Sequence, residues 1–340
     1  MTTSALHLSR AQVLAHRRRV GALGERLPQG ESSLERAAWA GLQDSMPRAA
    51  LHSIHARVAG AEPSSWEDPS LVQVWGPRFS AYVVAARDRA VFTLGRLPDD
   101  AKGRHRAEDT AARLHSFLDG RRMRYDEAGL GVGVHPNALR YAAPTGTVLL
   151  RWEGARLPVI WTVPRPEIDP FDARLELARR YLHVFGPTTP AAFAKWAGIG
   201  TAGGRAAFEA LAAEVIAVRT PIGDGWILTS DERSFRAPPS PAAPARLLPS
   251  GDAYFLLHGV DRELLVPDEN RRGELWTSRV WPGAVLVAGE VVGTWRRTNA
   301  VVAIQTWQRL STAEREAVEE EAESLPLPGP SGQIVIRWDD

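Results

Sequence analysis

The chain has 340 residues, of which 44% are hydrophobic and 24% charged, and its formal net charge is +1. This composition is typical of a globular protein long enough for two or more hydrophobic cores. The absence of cysteine excludes disulfides, thiolate nucleophiles and Cys-ligated zinc or iron–sulfur centres. No run approaches the roughly 18 apolar residues of a membrane-spanning helix, and the first residues lack a signal-peptide pattern. We therefore expect a cytoplasmic protein with no membrane partner.

Arginine supplies nearly all of the positive charge, because lysine occurs only at Lys102 and Lys195. Arginine suits bidentate contacts to phosphates and base edges, although a coding bias toward arginine produces the same composition. The run Arg17, Arg18, Arg19 is typical of a solvated helix face, and a phosphate-facing role is the alternative.

Residues 1–98 are predicted to hold three short helices and a strand. Ser9 is the expected N-cap of a helix over residues 10–23, and Ser33 that of a helix running to Leu42. A third helix is predicted over residues 47–59, where Pro47 suits the first turn, and residues 80–84 have the composition of a strand. We interpret this region as a first winged-helix-like module.

Three polar residues, Gln43, Asp44 and Ser45, fall at the predicted corner between the second and third helices. A corner between two apolar helices is a place where a rigid scaffold can aim chemistry. The alternative is structural: Ser45 would be the N-cap of the following helix and Asp44 a capping carboxylate, a contribution of about 1 kcal/mol.

Residues 99–163 repeat the plan of helices followed by a β-hairpin. A helix over 99–118 and a short one over 125–129 lead to a candidate recognition helix over 135–141. Residues 147–152 and 157–161 then flank the turn at Glu153 and Gly154 as a predicted hairpin. The order helix, helix, hairpin is that of a winged helix, so we predict a second winged-helix module here.

The plan recurs in residues 171–236, after a proline-rich linker. Helices are predicted over 171–184, 186–196 and 201–213, and residues 215–219 are predicted to pair with 226–228. Repeated helix-turn-helix units in one chain favour a surface that follows an extended partner, and duplex nucleic acid is the commonest such partner.

Residues 245–340 are predicted to be mainly strands. The expected strands are residues 254–257, 283–288, 290–295, 300–307 and 333–338, with an acidic helix over 312–324. Short antiparallel strands at this spacing indicate a small closed or half-closed β-barrel. The predicted fold class is therefore α+β, with tandem winged-helix modules followed by a small C-terminal β-barrel.

Candidate DNA contacts follow from these placements. They are His135, Asn137 and Arg140 on the recognition helix, Arg151 and Arg156 on the hairpin, and Arg296 on a barrel strand. Exposed strand arginines are also common without a nucleic-acid partner.

A metal site is not expected in this chain. His52 and His55 lie three residues apart on one helical face, but no third ligand is nearby, so ordinary histidines are the better interpretation. We expect no metal and no cofactor.

Several segments resemble one known family. Residues 41–47, Gly-Leu-Gln-Asp-Ser-Met-Pro, resemble the signature Gly-Φ-Gln-x-Gln-x-Pro of AlkZ/YcaQ-type DNA glycosylases, where Φ is apolar. Residues 135–140, 186–196, 247–254 and 292–296 resemble later segments of that family in the same order. The resemblance implies tandem winged helices, a C-terminal β-barrel and duplex DNA as partner. It also implies a monofunctional glycosylase that removes alkylated purines or unhooks crosslinks without a metal or cofactor.

The chain departs from the family at the catalytic pair, which is Gln-Φ-Gln or Gln-Φ-Asp. Gln43 matches the first position, whereas Asp44 occupies the apolar middle and Ser45 the position of the residue that activates water. Arg78 matches a family arginine, and Tyr82 stands where relatives carry histidine. The resemblance adds both to the candidate DNA contacts. An unassisted hydroxyl is a poor general base, whereas the Asp44 carboxylate can hold water and stabilise an oxocarbenium-like charge.

Two hypotheses follow. In the first, the chain is a DNA glycosylase in which Gln43, Asp44 and Ser45 are catalytic and water attacks the sugar C1′. In the second, it is a non-catalytic winged-helix DNA-binding protein that has lost the catalytic pair. Both expect a nucleoid-associated monomer on double-stranded DNA, alkylated or crosslinked in the first case. A structural or protein-binding array is a third interpretation, which an absence of duplex binding at low salt would favour.

Overall fold

The computed structural model describes residues 6–46, 48–153, 156–239, 241–327 and 333–339. Pro47 and Gly154, which the sequence placed at a helix start and a hairpin turn, lie outside these ranges. No helix within them combines the length and the apolar character needed to cross a bilayer.

The α-helices of the described ranges vary from one turn to five turns. They are α1 (Arg10–Val20), α2 (Glu31–Ala37), α3 (Ala49–Arg57), α4 (Arg89–Thr93), α5 (Ala101–Leu118), α6 (Tyr125–Gly131), α7 (Pro170–Phe185), α8 (Pro190–Ala197), α9 (Thr201–Ala210), α10 (Glu232–Arg236), α11 (Asp261–Leu265), α12 (Glu269–Leu275) and α13 (Thr312–Glu323).

The strands are short, and most belong to hairpins. They are β1 (Leu6–His7), β2 (Leu42–Gln43), β3 (Leu71–Trp75), β4 (Ala81–Ala85), β5 (Met123–Arg124), β6 (Val148–Arg151), β7 (Val159–Thr162), β8 (Val215–Thr220), β9 (Gly223–Leu228), β10 (Ala245–Leu248), β11 (Gly283–Val287), β12 (Glu290–Thr298), β13 (Val301–Thr306) and β14 (Val335–Asp339).

Three small sheets accompany the helices of residues 6–236. Their strand orders are β2-β4-β3, β5-β7-β6 and β1-β8-β9. The hairpins β6–β7 and β8–β9 are antiparallel, as the sequence predicted. The N-terminal strand β1 adds in parallel to β8, so the start of the chain completes the third sheet. Each region thus combines helices with a three-stranded sheet, and the identification of the regions as winged-helix modules stays a prediction.

One large core unites these regions with the C-terminal part. Tyr82 and Phe92 pack in the same buried cluster as Trp196 of α8, Leu248 of β10 and Phe255. The polar links are also long-range. Arg17 is buried and donates to the carbonyls of Phe185 and Gly186, so the expectation of a solvated arginine face on α1 is wrong at this residue.

The C-terminal strands form an open sheet. Its order is β10-β11-β12-β13-β14, and the edge strands β10 and β14 do not pair with each other in the described residues. Helix α13 packs against β10, β11 and β14 and covers the sheet between its edges. The closed form of the predicted barrel is therefore wrong for the described residues, and the half-closed form is not confirmed.

A strand predicted over residues 254–257 is also incorrect. This segment is a series of tight turns, in which Phe255 N–H donates to Asp252 and Leu257 N–H donates to Phe255. Its apolar side chains are buried in the large core, and a short buried apolar run has the same composition in a turn as in a strand. The first strand of the sheet is instead β10.

The predicted recognition helix is a 3-10 helix over Pro136–Thr145. Its N-cap is His135, whose side chain accepts a hydrogen bond from Asn137 N–H at 3.2 Å. Pro144 lies inside this helix and has no amide hydrogen to donate to a longer α-helical ladder.

Candidate functional site

Gln43 is the last residue of strand β2 rather than part of the predicted helix corner. Asp44 directly follows the strand and continues its pairing, since Asp44 N–H donates to the carbonyl of Ala81 at 2.8 Å. Helix α2 ends at Ala37, and Gly41 then has a positive φ of 75°. A β-carbon there would lie 2.9 Å from carbons of both Phe92 and Tyr82, so the turn requires glycine. The chain leaves it as β2, antiparallel to β4, and the predicted extension of the helix to Leu42 is wrong.

The strand separates the two residues. Gln43 is registered with Tyr82, and Leu42 with Val83. Because neighbouring side chains of a strand point to opposite faces, Gln43 shares the face of Tyr82, whereas Asp44 points toward α3. The hydrogen bonds of the two side chains agree with this assignment.

Two donors fix the amide of Gln43. Its Oε1 accepts hydrogen bonds from Arg78 Nη2 at 3.2 Å and from the hydroxyl of Tyr82 at 3.4 Å. Burial raises the pKa of Tyr82 to about 12, so this hydroxyl keeps its proton at neutral pH. The two lone pairs of Oε1 are occupied, and the Nε2 hydrogens of Gln43 remain to donate. Nε2 faces the backbone of Gly251, where a β-carbon would lie 2.8 Å away.

The loop that carries Arg78 is strained. Arg78 and Phe79 have positive φ values of 54° and 57°, a conformation that costs on the order of 1 kcal/mol per residue outside glycine. The strain directs the guanidinium of Arg78 between Gln43 and His258, to whose Nε2 it donates at 3.1 Å. Gln43, Tyr82, Arg78 and His258 thus form one hydrogen-bonded group.

Asp44 is buried beneath α3, with 1% of its surface exposed. Its Oδ1 accepts from Ala50 N–H at 3.0 Å and its Oδ2 from Gln73 Nε2 at 2.6 Å. Burial raises the pKa of Asp44 to about 6, against the lowering effect of these bonds and of Arg48. The carboxylate is therefore charged at neutral pH, and both of its oxygens are held by the scaffold.

Gln73 connects Asp44 to the second sheet. Its Oε1 accepts from Trp152 N–H at 2.6 Å, at the end of β6. The amide of Gln73 therefore has a fixed orientation, and it can offer only its Nε2 hydrogens to Asp44.

Ser45 faces a cleft of about 490 Å³. Its hydroxyl is buried and has no hydrogen-bond partner within the described chain. Arg140 and Arg156 also line the cleft, together with Trp152 and Tyr125. Ser45 is not the predicted N-cap of α3, because that position is held by Arg48 in a left-handed conformation, and the carboxylate of Asp44 accepts from the first turn instead.

The candidate DNA contacts therefore fall into separate places. Arg78 and Tyr82 lie with Gln43, and Arg140 and Arg156 lie with Ser45. The guanidinium of Arg151 forms an ion pair with Glu67 at 2.7 Å and stacks on Trp66.

The other three candidates lie outside both groups. His135 and Asn137 are exposed at the start of the 3-10 helix. Arg296 is exposed on β12, where it donates to the carbonyl of Val280. The structure thus brings together four of the eight candidates, in two groups on the two sides of the loop at residues 78–80.

Sequence reasoning missed the residues that approach Gln43 from distant segments. These are His258 and Gly251 from the C-terminal part, and Gln73 beneath Asp44. Gly251 lies in a segment that carried the family resemblance, which was the one available signal. No local pattern identifies His258, because its contact with Arg78 spans 180 residues.

Within the described residues, the histidines do not form an obvious metal site. His52 is buried, and burial lowers its pKa to about 3. In the described ranges one group of potential ligands converges, namely His16, His183 and Asp231. Both ring nitrogens of His16 already bond protein groups, the hydroxyl of Ser234 and the carbonyl of His183, each at 2.9 Å. A metal ion there would have to break one of these bonds.

Comparisons with known proteins point to a single family. The model of the family described as DNA glycosylase AlkZ-like matches residues 36–326. Among solved structures, Streptomyces sahachiroi DNA glycosylase AlkZ is similar, with a TM-score of 0.76 and 17% sequence identity. That match covers 98% of this chain and 100% of the other. No curated protein matches by sequence. At this identity the structural likeness concerns the fold.

Proposed function

The chain belongs to the AlkZ-like family of DNA glycosylases, and from this premise we propose that it excises alkylated purines, or unhooks crosslinks, from duplex DNA by attack of water at the sugar C1′. The Gln43–Asp44 pair supports this proposal: a fixed amide donor lies next in the chain to a buried, ionised carboxylate. A cationic alkylated base leaves without a general acid, so the site must position water and stabilise the developing positive charge on the sugar.

The hydrogen bonds divide these roles. Oε1 of Gln43 is occupied by Arg78 and Tyr82, so Gln43 acts through its Nε2 hydrogens and orients the water or the sugar. Asp44 acts mainly as a fixed negative charge, because both of its oxygens already accept hydrogen bonds. Preorganised charge of this kind stabilises a transition state without reorganisation. Ser45 would assist from the neighbouring cleft, where its buried hydroxyl has no hydrogen-bond partner within the described chain.

The proposal is tested on a duplex that carries one N7-methylguanine. Free base and alkali-labile abasic sites are measured with the wild type, Gln43→Ala, Asp44→Asn and Ser45→Ala, and duplex binding is measured in parallel. We expect Gln43→Ala and Asp44→Asn to slow excision by about 100-fold with binding retained. Glu67→Gln is the control, since Glu67 is an exposed partner of Arg151. Full excision by both site variants would refute the assignment.

A second function is favoured by one observation. Both carboxylate oxygens of Asp44 are bonded to the scaffold, as expected of a purely structural carboxylate. In that case the chain is a non-catalytic DNA-binding protein. It would bind the duplex with a steep salt dependence and release no base from N7-methylguanine or from a crosslinked duplex.

A further inference from the structure

A group of positive charges lies beside Gln43 and has no acidic partner. Its members come from three separate segments: Arg78 from the loop before β4, Lys195 from α8, and Arg262 from α11. Arg78 contacts Nε2 of His258 at 3.1 Å, Arg262 donates to the carbonyl of Leu257, the residue before His258, and helix α8 with Lys195 packs against the loop of Arg78. Burial first, and then these three cations, lower the pKa of His258 to about 4. No ion pair involving Arg78, Lys195 or Arg262 occurs in the described residues.

The protonation state of His258 follows from its contact. Arg78 can only donate, so Nε2 of His258, 3.1 Å from Arg78 Nη1, must be the unprotonated nitrogen. The proton of the neutral ring is then on Nδ1. No other hydrogen bond of His258 is present within the described residues, and Nδ1–H is a donor on the edge of the ring that faces away from Arg78.

Each cation is held by the fold rather than by a counter-charge. Arg262 donates to the carbonyl of Leu257 at 3.0 Å and stacks on Trp276 and Trp281. Arg78 is held by Gln43 and His258, and its Nε is buried without a hydrogen-bond partner. Lys195 is exposed on α8.

Positive charge also lies behind the group. Arg96 is buried, and its Nη2 has no hydrogen-bond partner. A β-carbon on Gly198 would lie 3.2 Å from the backbone nitrogen of Arg78 and 3.7 Å from Nη2 of Arg96, so this guanidinium is directly behind the Arg78 loop. Placing like charges together is unfavourable unless an anion joins them.

We propose that Arg78, Lys195 and Arg262, arranged around the neutral ring of His258, form a clamp for one phosphodiester of the DNA backbone next to the target nucleotide. This inference rests on the proposed function in that it takes duplex DNA as the ligand. Arg78 would connect the phosphate clamp to the site around Gln43. Its Nη2 donates to Oε1 of Gln43, and the same guanidinium is a member of the clamp. Binding of the phosphate would thereby place the sugar against the Nε2 hydrogens of Gln43.

The test uses binding and does not depend on catalysis. The probe is a duplex with a tetrahydrofuran abasic analogue as the target nucleotide, in a series in which one flanking phosphate at a time is a neutral methylphosphonate. Binding is measured by fluorescence anisotropy for the wild type and for the double variant Lys195→Met/Arg262→Gln, which removes both positive charges and keeps unbranched side chains. Lys102→Met, which removes the other lysine of the chain, is the matched control.

We expect the wild type to lose roughly tenfold in affinity at one or two adjacent methylphosphonate positions, and the double variant, which retains only Arg78 of the three cations, to lose clearly less at those positions. The slope of log K against log salt should fall by about 1 for each contact removed, and Lys102→Met should behave as the wild type. Equal losses for wild type and double variant at every position, or an unchanged salt slope, would overturn the clamp. Thermal unfolding verifies that the double variant is folded.

Excision of N7-methylguanine is measured separately with the same proteins. A chain that shows the position-specific loss but releases no base keeps the clamp and loses the proposed glycosylase activity. A chain that releases base but shows no position-specific loss keeps the activity and loses the clamp.

Discussion

Replacing Asp44 by asparagine should change the dependence of stability on pH. Burial raises the pKa of Asp44 from 3.8 to about 6, which corresponds to about 3 kcal/mol in the free energy of unfolding. The native state binds this proton more tightly than the unfolded state. The stabilising contribution is therefore complete below about pH 4, and it is lost as the pH rises through 6.

Asparagine removes this titration but introduces a clash. Its amide oxygen can accept from Ala50 N–H, but its NH2 group then faces Nε2 of Gln73, which is also a donor. Gln73 cannot rotate to help, because its Oε1 accepts from Trp152 N–H. Two opposed buried donors cost about 1–3 kcal/mol. We expect Asp44→Asn to be clearly less stable than the wild type at pH 4 and close to it at pH 8.

The assay is urea denaturation of both proteins between pH 4 and pH 8. The quantity of interest is the difference in unfolding free energy, which should change by about 3 kcal/mol in favour of the variant across this range. Asp126→Asn is the control: Asp126 is on the surface and its pKa is lowered by Arg124, so its difference should stay flat above pH 5. A flat difference for Asp44→Asn would refute the burial of a charged carboxylate with a raised pKa.

Two further predictions concern how the C-terminal part positions Gln43. Gly251→Ala should slow excision, because the added β-carbon would lie 2.8 Å from Nε2 of Gln43. Gly120→Ala is the control, since Gly120 has a similar φ of 75° but open space around it. Equal excision by the two variants would contradict this argument. Arg57→Met should destabilise the fold by about 3–5 kcal/mol in denaturation experiments, since it leaves Asp252 buried without the two 2.7 Å bonds from the guanidinium. The double variant Arg57→Met/Asp252→Leu should recover only part of this loss, because the hydroxyl of Ser53 and Tyr254 N–H then lose their acceptor. No recovery would show that the unpaired charge is not the cause.

The sequence predicted the elements whose signals are local. Ser9 caps α1 as predicted, and the structure adds a capping box with Gln12. The helical pattern of α5 and the strand and turn composition of the hairpins β6–β7 and β8–β9 were also readable from the sequence. The two-residue strand β2 could not be predicted, because a strand of this length is defined by its pairing with the distant strand β4. The apolar residues before Gln43 fit a helix equally well until that partner is known.

The candidate site was predicted only in part, for the same reason. The residue identities at Gln43, Asp44 and Ser45 were readable from the resemblance, and so was the match at Arg78. The geometry of these residues could not be predicted from the sequence, because it depends on Gln73, Gly251 and the distant His258. A raised pKa is likewise a property of burial, and the sequence alone does not reveal how deeply Asp44 is buried.

The strand geometry leads to one last prediction, at Ser45. Alternation places Asp44 on the face opposite Gln43, so Asp44 cannot simply replace a water-activating residue two positions after the glutamine. Ser45→Asp would put a carboxylate into the cleft of about 490 Å³ lined by Arg140 and Arg156, whose charges favour its ionised form. A positioned general base contributes about 100-fold or more. We therefore expect Ser45→Asp to accelerate release of N7-methylguanine, and Ser45→Asn, of equal size and without charge, not to do so. Equal rates for both variants and the wild type would show that the lack of a base at this position does not limit the reaction.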